Sequence, residues 1–312
     1  MSEKPSLPQR HPLLSGCLLL LVVGLLFWAG VSFLLGSLLR DDSSGFFISD
    51  GARQVGIGVI EIRGVITSAD EIIAQLTKFR QQERIKAIVL RIDSPGGAVG
   101  ATQELYAEVR RTNAVKPVVA SMASVAASGG LYVALGAERI IANPGTITGS
   151  IGVVIRLANI EELLARIGYR SETLKSGELK DSVAIDRSMR PEERAMLQEM
   201  ITLVHDQFIT AIVNARNLPL ETVQEFADGR IFTGSQALEL QLIDGLGNLN
   251  DAALVAAELA GWDEGRVPTL IYPPRRSFSL LPLLLGGRVE RGLAAFPLSI
   301  TPVLAYEWTI AP

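Results

Sequence analysis

The chain has 312 residues, 48% hydrophobic and 20% charged, with a formal net charge of −4. That balance provides no basic excess for nucleic acid. One cysteine and two histidines exclude an intramolecular disulfide and any zinc site built from the Cys and His of one chain, so neither metal nor cofactor is expected.

In chain order, the first feature is an uncharged run of 27 residues from Leu13 to Leu39. About 20 apolar residues cross a bilayer core of roughly 30 Å, and the run exceeds the roughly 7–15-residue apolar region of a cleaved signal peptide. It predicts one transmembrane anchor over 13–39. Lys4 and Arg10 precede the run, while Arg40, Asp41 and Asp42 follow it. The arm 1–12 is therefore expected in the cytoplasm and the body outside it. Cys17 follows Leu14-Ser15-Gly16 as in a lipoprotein cleavage box, but it stands at the start of the apolar run. It reads instead as a small residue in the membrane.

Residues 40–54 are polar and Gly-rich and read as a linker. The body then alternates. Strands are predicted at 55–62, 87–92, 118–121, 139–142 and 151–155 from β-branched, apolar runs. Helices are predicted at 69–82, 102–111, 161–167, 191–217 and 249–259, with a small-residue helix ending at Leu135. Pro191, Glu192 and Glu193 suit a helix start. Met196, Met200, Leu203, Val204, Phe208, Ala211 and Ile212 form the apolar stripe of that helix, and His205 lies at its edge, on the helix surface. The order predicts an α/β fold with a mostly parallel sheet over 55–267. The tail 268–312 is apolar and Pro-rich, too broken for a second span, and has no assignable role.

In open α/β sheets, sites form at the carboxyl ends of strands. Two Gly-rich turns fall there: Asp93-Ser94-Pro95-Gly96-Gly97 and Ala126-Ala127-Ser128-Gly129-Gly130. Ser128 is the best placed serine, flanked by small residues that admit a substrate backbone. The Gly97 and Gly129 amides are natural donors to an oxyanion. Each segment also reads as an ordinary packing turn. A serine needs a base, and histidine is nearly absent. A lysine serves if burial keeps it neutral and no carboxylate is near. Lys175 and Lys180 both occur in Leu174–Asp181, and local sequence does not choose between them.

Taken as an ordered set, these segments resemble signal peptide peptidase A (protease IV, peptidase family S49). The others in the set are Asn143–Gly152, Lys175–Asp181, Asp228–Gly234 and Leu242–Gly247, and the likeness runs from about Val55 to Leu259. The resemblance implies a Clp-protease/crotonase-like fold of repeated ββα units and a Ser-Lys dyad. The family's nucleophile falls on Ser128, its lysine on Lys180, its lysine-steadying serine on Ser150, and its oxyanion donors on Gly97 and Gly129. It also implies a homo-oligomer whose sites are built from neighbouring subunits. The substrates would be cleaved signal peptides, with small or apolar side chains near the scissile bond. The enzyme would sit in the inner membrane of a bacterium with its catalytic domain on the extracytoplasmic side, a chloroplast homologue being the other source. Two other readings fit the glycine turns: an acyl-CoA-binding crotonase-like enzyme and a non-proteolytic membrane scaffold.

Overall fold

The computed structural model describes residues 20–30, 55–262, 268–274 and 304–307. The chain divides into two units, 1–52 with 275–295, and 53–274 with 296–312. In the first, residues 20–30 are helical with exposed side chains. Among the described residues no helix is long and apolar enough to cross a membrane. The arm 1–12, the linker 40–54, Cys17 and most of the expected anchor lie outside the described residues.

The second unit alternates strands and helices. β1 (Gly56–Arg63) leads to α1 (Asp70–Gln81), β2 (Ile85–Ser94) and short β3 (Gly96–Ala98) to α2 (Val99–Asn113), and β4 (Val118–Ala126) to α3 (Gly129–Ala134). Next come β5 (Arg139–Ala142), β6 (Ile147–Gly149), β7 (Val154–Ile155) and α4 (Glu161–Arg166). They are followed by α5 (Pro191–Arg216), α6 (Leu220–Phe226), β8 (Ile231–Thr233), α7 (Gly234–Glu239), β9 (Gly245–Leu246) and α8 (Leu249–Leu259). The tail supplies β10 (Leu270–Ile271) and β11 (Leu304–Glu307).

The main sheet runs β10-β1-β2-β4-β5-β9, with every neighbour parallel. The middles of its strands are apolar on both faces because both faces are covered. Ile57, Val59, Ala87 and Val89 meet Ala252, Ala253, Ala256 and Ala257 of α8. The intervening Ile60, Ile62, Ile88, Leu90 and Ile92 share a larger core with Leu76 and Phe79 of α1 and Leu105 and Val109 of α2. The alanine face of α8 has no long side chains to hold it off the sheet. Helix termini follow their local chemistry. Asp70 and Glu71 open α1, and Lys78 and Arg80 close it. Asn248 accepts the Asn250 N–H at 2.7 Å to start α8.

Several expectations change. The strand foreseen at 118–121 continues to Ala126, held by pairing with β2 and not by β-branched residues. The strand foreseen over 151–155 shrinks to Val154–Ile155. Gly96 and Gly97, read as a turn, are strand because β11 pairs with them from the far end of the chain. The apolar stripe of α5 is covered only in part: Phe208, Ala211 and Ile212 are buried, whereas Met200 and Leu203 stay exposed.

Candidate active site

The carboxyl ends of β2 and β4 converge on Ser128. Asp93 Oδ1 accepts the Val125 N–H at 3.2 Å, and Ala127 N–H donates to Ser94 O at 3.1 Å. Thr146 and Thr148 hydroxyls donate to the carbonyls of Ala123 (2.6 Å) and Ala126 (2.7 Å), so the last turn of β4 is pinned from β6 as well. Ser128 itself takes φ 52° and ψ −113° immediately before α3. A serine in that region is strained, a state that persists only where surrounding bonds enforce it. Its N–H donates to Gly149 O at 2.8 Å. The residue is 1% exposed, and among the described residues its Oγ has no hydrogen-bond partner. Buried hydroxyls are ordinarily paired; this one is held free.

Glycines make the space beside it. A Cβ on Gly129 would stand 2.9 Å from Thr102 Oγ1 and 3.2 Å from Gly97 N. Gly96 has φ +104°, and a Cβ there would lie 2.0 Å from Tyr306 O and 2.7 Å from Gly129 N. The amides of residues 97 and 129 thus converge on one small region, where a peptide carbonyl already sits. Gly96 O accepts from Ile66 N and Ala98 N donates to Ile66 O, both at 2.8 Å. By strand alternation the Gly97 N–H faces the other edge, toward Tyr306, its register partner in β11.

Ser150 follows Gly149 with φ 51°, and its N–H donates to Arg230 O at 2.7 Å. It lines a cleft of about 310 Å³ with Val154, His205 and Asp228. His205, expected on the helix surface, turns its Nε2 inward, where it is buried with no partner among the described residues. Arg230 lies against Asp228 and holds that carboxyl down at about 2.

Lys180 is placed differently. It is exposed, its N–H donates to Gly177 O at 3.1 Å, and no hydrogen bond joins it to Ser128 within the single chain. The residues around it are clamped by charge. Lys175 Nζ pairs with Asp181 Oδ1 at 2.6 Å, and Arg187 joins Asp181 O (2.8 Å) to Glu193 Oε1 (2.6 Å). Arg190 bonds both Glu178 and Glu193. These cations hold the carboxyls of Asp181 and Glu193 below the usual carboxylate range. Lys175 is thereby committed to an ion pair, and among the described residues no ion pair is formed by Lys180. The structure brings Ser128, Gly97, Gly129 and Ser150 together and leaves Lys180 apart. Sequence reasoning missed Tyr306, because its partners lie some two hundred residues earlier and no local pattern links them.

A parallel-sheet α/β body, with a strained serine at a strand-to-helix elbow beside glycine amides, defines a serine hydrolase of the Clp-protease type. The Clp protease family profile matches residues 59–149, and the profile of peptidase family S49 matches residues 110–263. A Synechocystis protein designated a protease is 45% identical over 212 residues, 68% of this chain and 76% of its own length. An Enterococcus faecium protein designated signal peptide peptidase SppA is 32% identical over 219 residues, 66% of this chain and 64% of its own length. Protease 4 of Salmonella typhi is 38% identical over 192 residues, 61% of this chain but only 31% of its own length. The chain belongs to peptidase family S49, alongside signal peptide peptidase A and protease 4, and is a serine peptidase.

Proposed function

We propose that this serine peptidase is a membrane-anchored endopeptidase working through a Ser128–Lys180 dyad, and that it degrades cleaved signal peptides and other short apolar peptides. The observation that carries the reading is the buried Ser128 Oγ, unpartnered on a strained elbow beside the glycine amides. Ser128 Oγ attacks the peptide carbonyl carbon and passes its proton to Lys180 Nζ. The oxyanion rests on the Gly97 and Gly129 N–H groups. Lys180 returns the proton to the leaving amine, and water hydrolyses the ester. Ser150 orients the lysine by accepting a hydrogen from Nζ.

Lys180 reaches Ser128 from a neighbouring copy in a homo-oligomer. The segment that carries it is studded with uncovered apolar side chains: Leu163, Ile167, Tyr169 and Leu174, the last 93% exposed. A surface of that kind suits burial against another subunit. The uncharged run 13–39 serves as a single-pass anchor in the inner membrane, with the body on the extracytoplasmic side. The deciding experiment is hydrolysis of casein and of a synthetic signal peptide by the wild-type chain and by Ser128→Ala. Equal turnover by the two proteins would end the proposal.

A further inference from the structure

Besides Ser128, one other hydroxyl is buried without a partner among the described residues, that of Thr102. It belongs to the fourth residue of α2 and is 0% exposed. A helical threonine ordinarily donates to the carbonyl three or four residues back. Thr202 and Thr210 of α5 do so, to Gln198 O at 3.0 Å and Asp206 O at 2.7 Å. The buried Thr112 accepts from Arg80 at 3.0 Å, and the buried Thr146 and Thr148 donate to β4. Thr102 takes none of these options. Its Oγ1 lies against Gly129 instead: a Cβ on that glycine would stand 2.9 Å from the oxygen, 3.0 Å from Gly96 Cα and 3.2 Å from Gly97 N. The carbonyl in this space is that of Tyr306, whose ring stacks on Tyr132 at 5.2 Å and meets Phe208 edge-on at 5.0 Å. Thr102 Oγ1 does not bond even to that carbonyl, so its contact is with the glycine backbone.

We propose that Thr102 is a positioning residue for peptide hydrolysis: its Oγ1 is the spacer that sets the Gly129 peptide, and with it the Gly129 N–H, relative to the Gly97 N–H. An unpaired buried hydroxyl costs free energy. Alanine at 102 would avoid that cost but leave the space behind Gly129 empty, and valine would put there a methyl wider than an oxygen. The oxygen is the size that fits. The two amides come from separate elements, Gly97 from β3 and Gly129 from the first turn of α3. Helix α2 follows β3 directly, so the element that fixes Gly97 also carries the stop against which Gly129 rests. Oxyanion donors act by being set in place before the charge develops, and a misplacement of about 1 Å can cost about 10²-fold in rate. This inference rests on the proposed function for the identity of the two donors.

The test compares Thr102→Ser, Thr102→Val and Thr102→Ala with the parent in the full chain. Steady-state peptide hydrolysis is measured beside inhibition by a peptide aldehyde. The aldehyde carbon bonds to Ser128 Oγ, its C=O double bond opens onto the oxygen, and the serine proton passes to the base. The adduct therefore loads the oxyanion donors without any bond being cut. Thr102→Ser keeps the oxygen and should retain most of the parent's rate. Thr102→Val should lower kcat by about tenfold to a hundredfold with KM unchanged, and weaken the aldehyde by the same factor. Uncleaved substrate peptide should bind Ser128→Ala and the Ser128→Ala, Thr102→Val chain equally, which a general loosening of the fold would not allow. Should the valine protein lose its melting transition, Thr102→Ala, which removes the oxygen without adding bulk, is read in the same way. Equal kcat and equal aldehyde inhibition in the parent and a folded Thr102→Val or Thr102→Ala variant would overturn this inference alone and leave the proposed function in place. Loss of substrate-peptide binding in step with kcat would overturn it too. An aldehyde that fails to inhibit the parent would remove the donors themselves, and both readings with them.

Discussion

The Ser128 N–H donates to the Gly149 carbonyl at 2.8 Å, tying the elbow after β4 to the turn that carries Ser150. Positive φ values occur at both ends of that bond: 52° at Ser128, 78° at Gly149 and 51° at Ser150. Two strained turns thus brace each other. A residue in such a conformation costs about 1–3 kcal/mol, sustained only by its surroundings. Thr148, bonded to Ala126 O, lies between them and links the same two strands.

Ser128→Ala should separate activity from stability. The hydroxyl forms no hydrogen bond, so its removal takes away none. Removing an unsatisfied buried hydroxyl can relieve a desolvation cost of about 1–3 kcal/mol, so the melting temperature is expected to hold or rise. Peptide hydrolysis is expected to fall by about 10⁴-fold or more. A variant that loses stability along with activity would show the serine to be structural.

Lys180→Ala and Lys175→Ala should differ in kind. Lys175 is paired with Asp181, so its loss loosens the segment, and its effect should appear chiefly in thermal stability or proteolytic susceptibility. Lys180 has no such partner, and its loss should remove hydrolysis with little change in melting. Where the lysine comes from a neighbour, mixing Ser128→Ala chains with Lys180→Ala chains restores part of the activity, because some interfaces hold one intact copy of each group. No recovery on mixing, under conditions where the chains exchange, would place both groups in one subunit.

Gly96→Ala should be severe. The new methyl would fall 2.0 Å from Tyr306 O and 2.7 Å from Gly129 N, at a φ of +104°. Strain in that region is worth about 1–3 kcal/mol before any clash is counted. The carbonyl space is the part displaced, so kcat for peptide hydrolysis should drop more than melting would suggest. Gly145→Ala, where the added methyl meets nothing, is the matched control; equal losses in the two would refute the crowding argument.

Acid should release the charged clamp before it unfolds the sheet. Asp181 and Glu193 are held below their ordinary range by Lys175, Arg187 and Arg190. A carboxyl with a depressed folded value stabilises above the unfolded value and loses that contribution as pH falls through the folded one. Unfolded carboxyls titrate at about 4, so the clamp is complete at neutral pH and weakens progressively below that. Limited proteolysis over residues 167–190 should accelerate as pH is lowered through that window, while circular dichroism of the body is unchanged. Glu193→Gln should reproduce the loosening at neutral pH; a protected segment in that variant would show the clamp to be dispensable.

Much of the architecture was legible from local pattern. The strands β1, β2 and β4 appear as short runs rich in apolar residues, and Pro191 with Glu192 and Glu193 marks a helix start. Ser128 and its glycines could be singled out because a strand followed by small residues and then a helix can adopt few backbone shapes. What local pattern could not supply was contact across the chain. The identity of β3 as strand, the aromatic pocket and the carbonyl beside Gly129 all depend on Tyr306, a partner distant in sequence. The Lys175–Asp181 ion pair likewise needed the folded segment, and the half-bare stripe of α5 needed to be seen uncovered. Sequence by itself determined the periodicities, the Pro191 helix start and the small-residue turn at Ser128, because these arise from neighbours along the backbone. Tertiary structure alone decided that β11 pairs with β3 and that Tyr306 packs on Tyr132 and Phe208, because those outcomes depend on segments brought together from separate parts of the chain.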